Sequence, residues 1–171
     1  MLTIINNSKE LSKSNLYKEL HSFLQSLIGE EQDMIANMAN MSSLLYFSLP
    51  NINWSGFYIF DGHELVLGPF HGKPACVRIP MGKGVCGTSA LNRTIIMVED
   101  VHQFPGHIAC DAASNSEIVI PIIVNDVLIG VLDIDSPIIC RFDLDDKEGL
   151  ESLVNTLIHS CTFKELEKTV K

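Results

Sequence analysis

The run SEIVIPIIVNDVLIGVLDID, residues 116–135, constrains the fold of this chain more than any other part of it. Two long apolar halves flank Asn125 and Asp126, a turn-forming pair, so the run reads as two strands joined in a hairpin. The second half would be an ordinary buried strand but for Asp133 and Asp135. Side chains alternate along a strand, so these two carboxylates share one face. Burying both without compensation is too costly to be incidental. The apolar residues before them favour a pocket over a strand end facing solvent. Glu117, at the start of the preceding strand, is near enough to join them.

The rest of the chain supplies partners for that hairpin. Leu16, Leu20, Phe23, Leu24, Leu27 and Ile28 recur at helical spacing and predict a helix over 14–28. A second helix is expected over 30–48, with Met34, Met38, Met41, Leu44, Leu45 and Phe47 as its apolar positions. Its methionines read as adaptable core packing rather than a cofactor stripe. WSGFYIFDGHELVLGPF is a second hairpin, turning at Asp61-Gly62. ACVRIPM and TIIMVED read as further strands, and GKGVCGTSALN as a short helix entered through glycines. A last helix begins after Asp143, a suitable N-cap, with Leu144, Leu150, Leu153, Val154, Leu157 and Ile158 mostly on one face. Consecutive hairpins with helices gathered at the ends make an α+β sandwich.

At 171 residues and 46% apolar, the chain is expected to form one domain, 1–171, with a real core. The net charge of -9 argues against nucleic acid or an anionic membrane surface as partner. No apolar run reaches membrane-spanning length, and no signal peptide is evident. Five unevenly spaced cysteines are not a secreted disulfide framework, so the reducing cytoplasm is the expected compartment.

Three of those cysteines fall between positions 76 and 110, each in a polar or glycine-rich surround. Cys110 precedes Asp111 and a string of small polar residues, an accessible loop or helix start where a thiol meets solvent. Such a place lowers a thiol pKa, Asp111 opposes this, and His107 could offset Asp111. On these grounds a reactive thiol and an idle surface thiol stay equally open. Cys76 falls in an expected strand, where a small core hydrophobe is the plain reading. Cys86 sits among glycines that permit close backbone approach. Cys140 and Cys161 read as packing or incidental thiols. His102, His107 and Cys110 run His-x4-His-x2-Cys, but only the two histidines come near a zinc-knuckle spacing, Cys76 and Cys86 are too far apart to pair, and no metal is expected. The loop from Gly82 to Gly87 lacks a phosphate-binding spacing and reads as a strand-to-helix turn. Trp54 opens a strand, where it suits core packing or a pocket wall. Thiols beside inward carboxylates suggest redox chemistry on a small cationic or zwitterionic molecule.

The stretches ACVRIPMGKGVCGTS, VEDVHQFPGHIACDAASNSEIVIPI and GVLDIDSP closely resemble the free methionine-(R)-sulfoxide reductases, single-domain proteins of the GAF fold. The likeness covers residues 53–153, and the N-terminal helices suit it. It implies a central antiparallel sheet of about six strands, with the terminal helices packed on one side. It further implies Cys110 as catalytic cysteine, Cys76 as its main resolving partner and Cys86 as an alternative one. Trp54 matches the aromatic wall against the substrate methyl group, Tyr58 an aromatic position, and Glu117, Asp133 and Asp135 the substrate-binding carboxylates. The implied substrate is free methionine-R-sulfoxide, the implied electron donor thioredoxin, and no cofactor or metal is implied. A homodimer stays open. The competing expectation is a GAF domain that binds a small ligand or senses redox state without turnover.

Overall fold

The structure, a computed structural model, describes residues 11–106 and 113–163. Helix α1 (Lys13–Ile28) is capped by Ser12, whose side chain accepts the Asn15 N–H, and stops at Gly29, where φ is 54°. Leu16, Leu20, Leu24 and Ile28 form its buried stripe. Helix α2 (Met34–Ser48) starts at its first apolar position, four residues after the expected start at 30. The Asp33 carboxylate caps it through the Ala36 N–H, while Glu31 accepts the N–H groups of Gln32 and Asp33. Those side chains offer the backbone a turn in place of a helix. Met38 and Met41 are fully buried, as expected of core methionines.

Six strands follow: β1 (Trp54–Phe60), β2 (Glu64–Gly72), β3 (Arg78–Pro80), β4 (Ile96–Val98), β5 (Ser116–Val124) and β6 (Val127–Ser136). Helix α3 (Gly84–Asn92) lies between β3 and β4, and α4 (Leu144–Ser160) closes the chain. The strands form one antiparallel sheet in the order β3-β2-β1-β6-β5-β4. Both expected hairpins are present. At the first, the Asp61 carboxylate accepts the N–H groups of His63 and Glu64. At the second, Asn125 and Asp126 both take positive φ, 49° and 64°, which matches a two-residue turn to the twist of its strands.

Two strands are shorter than the sequence suggests. ACVRIPM contributes only Arg78–Pro80, so Cys76 lies in a loop and not in a strand. Pairing with β2 begins where the Leu67 N–H meets the Val77 carbonyl, and Pro80 has no N–H to extend it. TIIMVED contributes Ile96–Val98. In α4 the Asp143 cap is present as a full capping box with Asp146, but Leu144, in the first turn, is exposed.

The sheet buries both faces. Phe57, Ile118, Ile120, Ile122, Leu132 and Ile134 meet α1, α2 and α4, the expected gathering of terminal helices on one side. Tyr58, Val119 and Val131 face the other way, towards Val85, Cys86 and Ala90 of α3. This second layer is thinner, and it leaves a pocket between α3 and the sheet. Among the described residues, no helix is long and apolar enough to cross a membrane.

Candidate active site

Strand register builds the pocket. Trp54 pairs with Asp135, and Asp135 pairs with Glu117, so the three form one row across β1, β6 and β5. Gly56, Asp133 and Val119 form the next row. The three carboxylates therefore share the face that α3 covers, beside Trp54 and Tyr58. All five side chains line the pocket together with Cys86, Lys83, Ser114, Ile79 and Val85.

The indole of Trp54 lies flat because two glycines make room. A Cβ on Gly56 would stand 2.4 Å from the Phe70 Cβ and 2.6 Å from the Trp54 Cη2. One on Gly72 would stand 2.6 Å from the Trp54 Cδ1. The ring stacks on Phe70 and Tyr58, with centroids 5.4 and 5.9 Å away, and Nε1 donates to the Lys73 carbonyl at 3.1 Å. It is 3% exposed, a wall fixed by stacking and one hydrogen bond. The Tyr58 hydroxyl donates to the Cys76 carbonyl at 3.0 Å, which ties this wall to the loop carrying Cys76.

Glu117 and Asp133 are each 6% exposed. The Cys86 thiol, also buried, points at Glu117 Oε1 from 3.7 Å. Asp133 Oδ1 is buried and has no hydrogen-bond partner. Burial pushes the Glu117 carboxyl well up, and the charges of Asp133 and Asp135 push it further. Burial pushes Asp133 up to about 6, while hydrogen bonds from Cys86 and Glu117 pull the other way. The environment thus biases Glu117 toward keeping its proton beside the more readily ionised Asp133, an acid next to an anion. Burial and the same carboxylates raise the Cys86 thiol, so it stays protonated and weakly nucleophilic.

Cys76 is disulfide-bonded, whereas Cys86, Cys140 and Cys161 are free. Cys140 is exposed, Cys161 accepts a hydrogen bond from Asn37, and neither lines the pocket. Cys110 and His107, both singled out in the sequence, lie outside the described residues. His102 meets Asn115 at 3.0 Å and does not line the pocket. Lys83 and Ser114 are lining residues the sequence reading missed. Their signals were present: the glycine-rich loop for Lys83, and the small polar string after Asp111 for Ser114. Ser114 also accepts from the Asn53 side chain at 3.1 Å.

The GAF domain family matches residues 33–158. The free methionine-R-sulfoxide reductase of Escherichia coli is 52% identical over 86% of this chain and 89% of its own. The fRMsr of Staphylococcus aureus in its reduced form superposes with a TM-score of 0.83 at 53% identity, covering 93% of this chain and 99% of that one. The free methionine-R-sulfoxide reductase of Neisseria meningitidis in complex with its substrate gives 0.84 at 40% identity, over 88% and 90% of the two chains.

Proposed function

The chain belongs to the GAF-domain family and, within it, to the free methionine-R-sulfoxide reductases, and from that premise we propose that it reduces free methionine-R-sulfoxide to methionine through cysteine chemistry. The observation that carries this reading is the buried pair of Glu117 and Asp133, the first with its carboxyl pushed well up and the second with a bare oxygen.

Asp133, with Asp135 at the half-buried rim, holds the substrate ammonium. An amino acid within a peptide has an uncharged amide there, so the site selects free methionine sulfoxide. Trp54 and Tyr58 wall the methyl group and aim the sulfur. The Cys110 thiolate attacks the sulfoxide sulfur, and Glu117 gives its proton to the oxygen. The new sulfur–sulfur bond and the substrate sulfur–oxygen bond then both break as the hydroxyl passes to the Cys110 sulfur, so methionine leaves reduced by two electrons and Cys110 is oxidised to a sulfenic acid. The Cys76 thiol condenses with it, a disulfide forms and water departs. A thioredoxin-type dithiol then restores both thiols by exchange. The disulfide at Cys76, beside free Cys86, Cys140 and Cys161, supports Cys76 as the resolver. Residues 1–171 act as one catalytic domain, working in the reducing cytoplasm where such a donor operates.

The test supplies reduced protein and dithiothreitol with the R epimer, the S epimer and N-acetylmethionine sulfoxide, and measures product. Methionine should form from the free R epimer alone. Comparable turnover of the acetylated compound overturns the ammonium argument. Binding of the R epimer without any methionine would make the protein a sensor.

A further inference from the structure

We propose that the same pocket is a zinc site, in which Cys86 Sγ, a Glu117 carboxylate oxygen and Asp133 Oδ1 take up one Zn²⁺ ion that blocks the substrate. The three donors come from α3, β5 and β6, and the Cys86 sulfur, a Glu117 carboxylate oxygen and an Asp133 carboxylate oxygen all lie within 4.8 Å of one another. Tetrahedral zinc, with bonds of about 2.3 Å to sulfur and about 2.0 Å to oxygen, sets a sulfur–oxygen edge of about 3.5 Å. The Cys86 Sγ to Glu117 Oε1 distance is 3.7 Å, so that edge already exists. Asp133 Oδ1 is the second observation that points to a ligand, because it is a buried acceptor with no partner. Leaving such an oxygen bare is costly, and a cation beside it removes the cost.

The donor set selects the metal. A thiolate with two carboxylates suits a borderline-soft ion such as zinc and is a poor cage for magnesium or calcium, which take oxygen alone. Among the described residues Lys83 is the one cation in the lining, against Asp133 and Asp135 even with Glu117 protonated, so the pocket draws cations on balance. Water would complete the fourth position of the ion. On entering, zinc takes Cys86 as thiolate and Glu117 as carboxylate, and any proton these groups carry leaves to solvent with no change of oxidation state. It then occupies the oxygen assigned above to the substrate ammonium. Zinc and methionine sulfoxide are therefore mutually exclusive.

Cobalt(II) serves as the spectroscopic probe, titrated into full-length protein kept reduced with a phosphine. One equivalent should give a near-ultraviolet sulfur-to-cobalt charge-transfer band, and zinc should erase it. Cys86→Ser should lose that band, and Cys76→Ser, Cys110→Ser and Cys140→Ser should keep it. Asp133→Asn should weaken cobalt binding at least about tenfold, the loss usual for a removed interaction at a metal site. A band that survives Cys86→Ser overturns the proposal. If Cys86→Ser does not fold, unchanged cobalt affinity in Asp133→Asn overturns it instead. Methionine sulfoxide should also displace the band, and failure to do so refutes the shared site. The spectrum needs no turnover, so this proposal and the reductase reading can fail separately.

Discussion

Asp133→Asn should make this protein more stable while removing its grip on substrate. The Asp133 carboxyl moves from an ordinary 3.8 to about 6 on folding, chiefly through burial. Roughly two units correspond to about 3 kcal/mol of work to keep the charge inside the folded pocket. The sign follows from proton counts. Between the two values the folded chain holds a proton that the unfolded chain has released, so stability falls as pH rises from about 4 to about 6 and is level above. Asparagine removes that slope. At pH 7.5 the variant should gain about 3 kcal/mol, or about 6 to 12 °C in melting temperature for a domain of this size. Near pH 3.5 the two proteins should differ little, because aspartic acid and asparagine are then both neutral. Thermal melts of wild type and variant across this range, on reduced protein, give the difference curve. Titration with free methionine-R-sulfoxide should show affinity reduced at least about tenfold, the loss of one charged contact. A stability difference that is flat with pH, or an asparagine variant that is less stable at pH 7.5 than wild type, refutes the reasoning.

Glu117→Gln should lower the single-turnover rate by about 10²- to 10⁴-fold, the usual worth of a positioned acid. Because burial raises the Glu117 pKa, the wild-type rate should fall as pH climbs through that raised value, and rapid-quench profiles of the variant should lack this limb. Gly56→Ala should displace the indole and cut activity while retaining the fold, since its Cβ would meet Trp54 Cη2 at 2.6 Å. Tryptophan emission that stays at its wild-type maximum would count against this. Cys110→Ser should abolish methionine release even in one turnover. Cys76→Ser should still release about one methionine per enzyme and then stall with thioredoxin, since the sulfenic acid lacks its resolver. A full burst from Cys110→Ser would reverse the assignment.

Much of this architecture was legible because it depends on local patterns. Alternation placed Asp133 and Asp135 on one face, and the Asn125-Asp126 and Asp61-Gly62 pairs marked both hairpins. Asp143 marked the start of α4, and helical spacing marked the stripe of α1. The errors arose where side chains or neighbours override pattern. Asp33 and Glu31 delay α2 by capping and turning the backbone. Cys76 stands outside the sheet because β3 begins only at Arg78, and its carbonyl accepts from the Tyr58 hydroxyl instead of a strand N–H.

By itself the sequence determined the order of the strands and helices, the presence of inward carboxylates and thiols, and the family that these motifs resemble. Only the tertiary structure decided which groups meet. Antiparallel register sets Glu117 opposite Asp135 and Asp133 one row away, and α3 brings the Cys86 thiol to 3.7 Å from Glu117. No spacing along the chain marks Cys86, Glu117 and Asp133 as one donor set, because they lie on three separate elements. The physical reason is range. Hydrogen-bond periodicity and turn chemistry act over a few residues and can be read along the chain. A carboxylate's proton, its unpaired oxygen and the atoms within its reach depend on burial by segments far away in sequence.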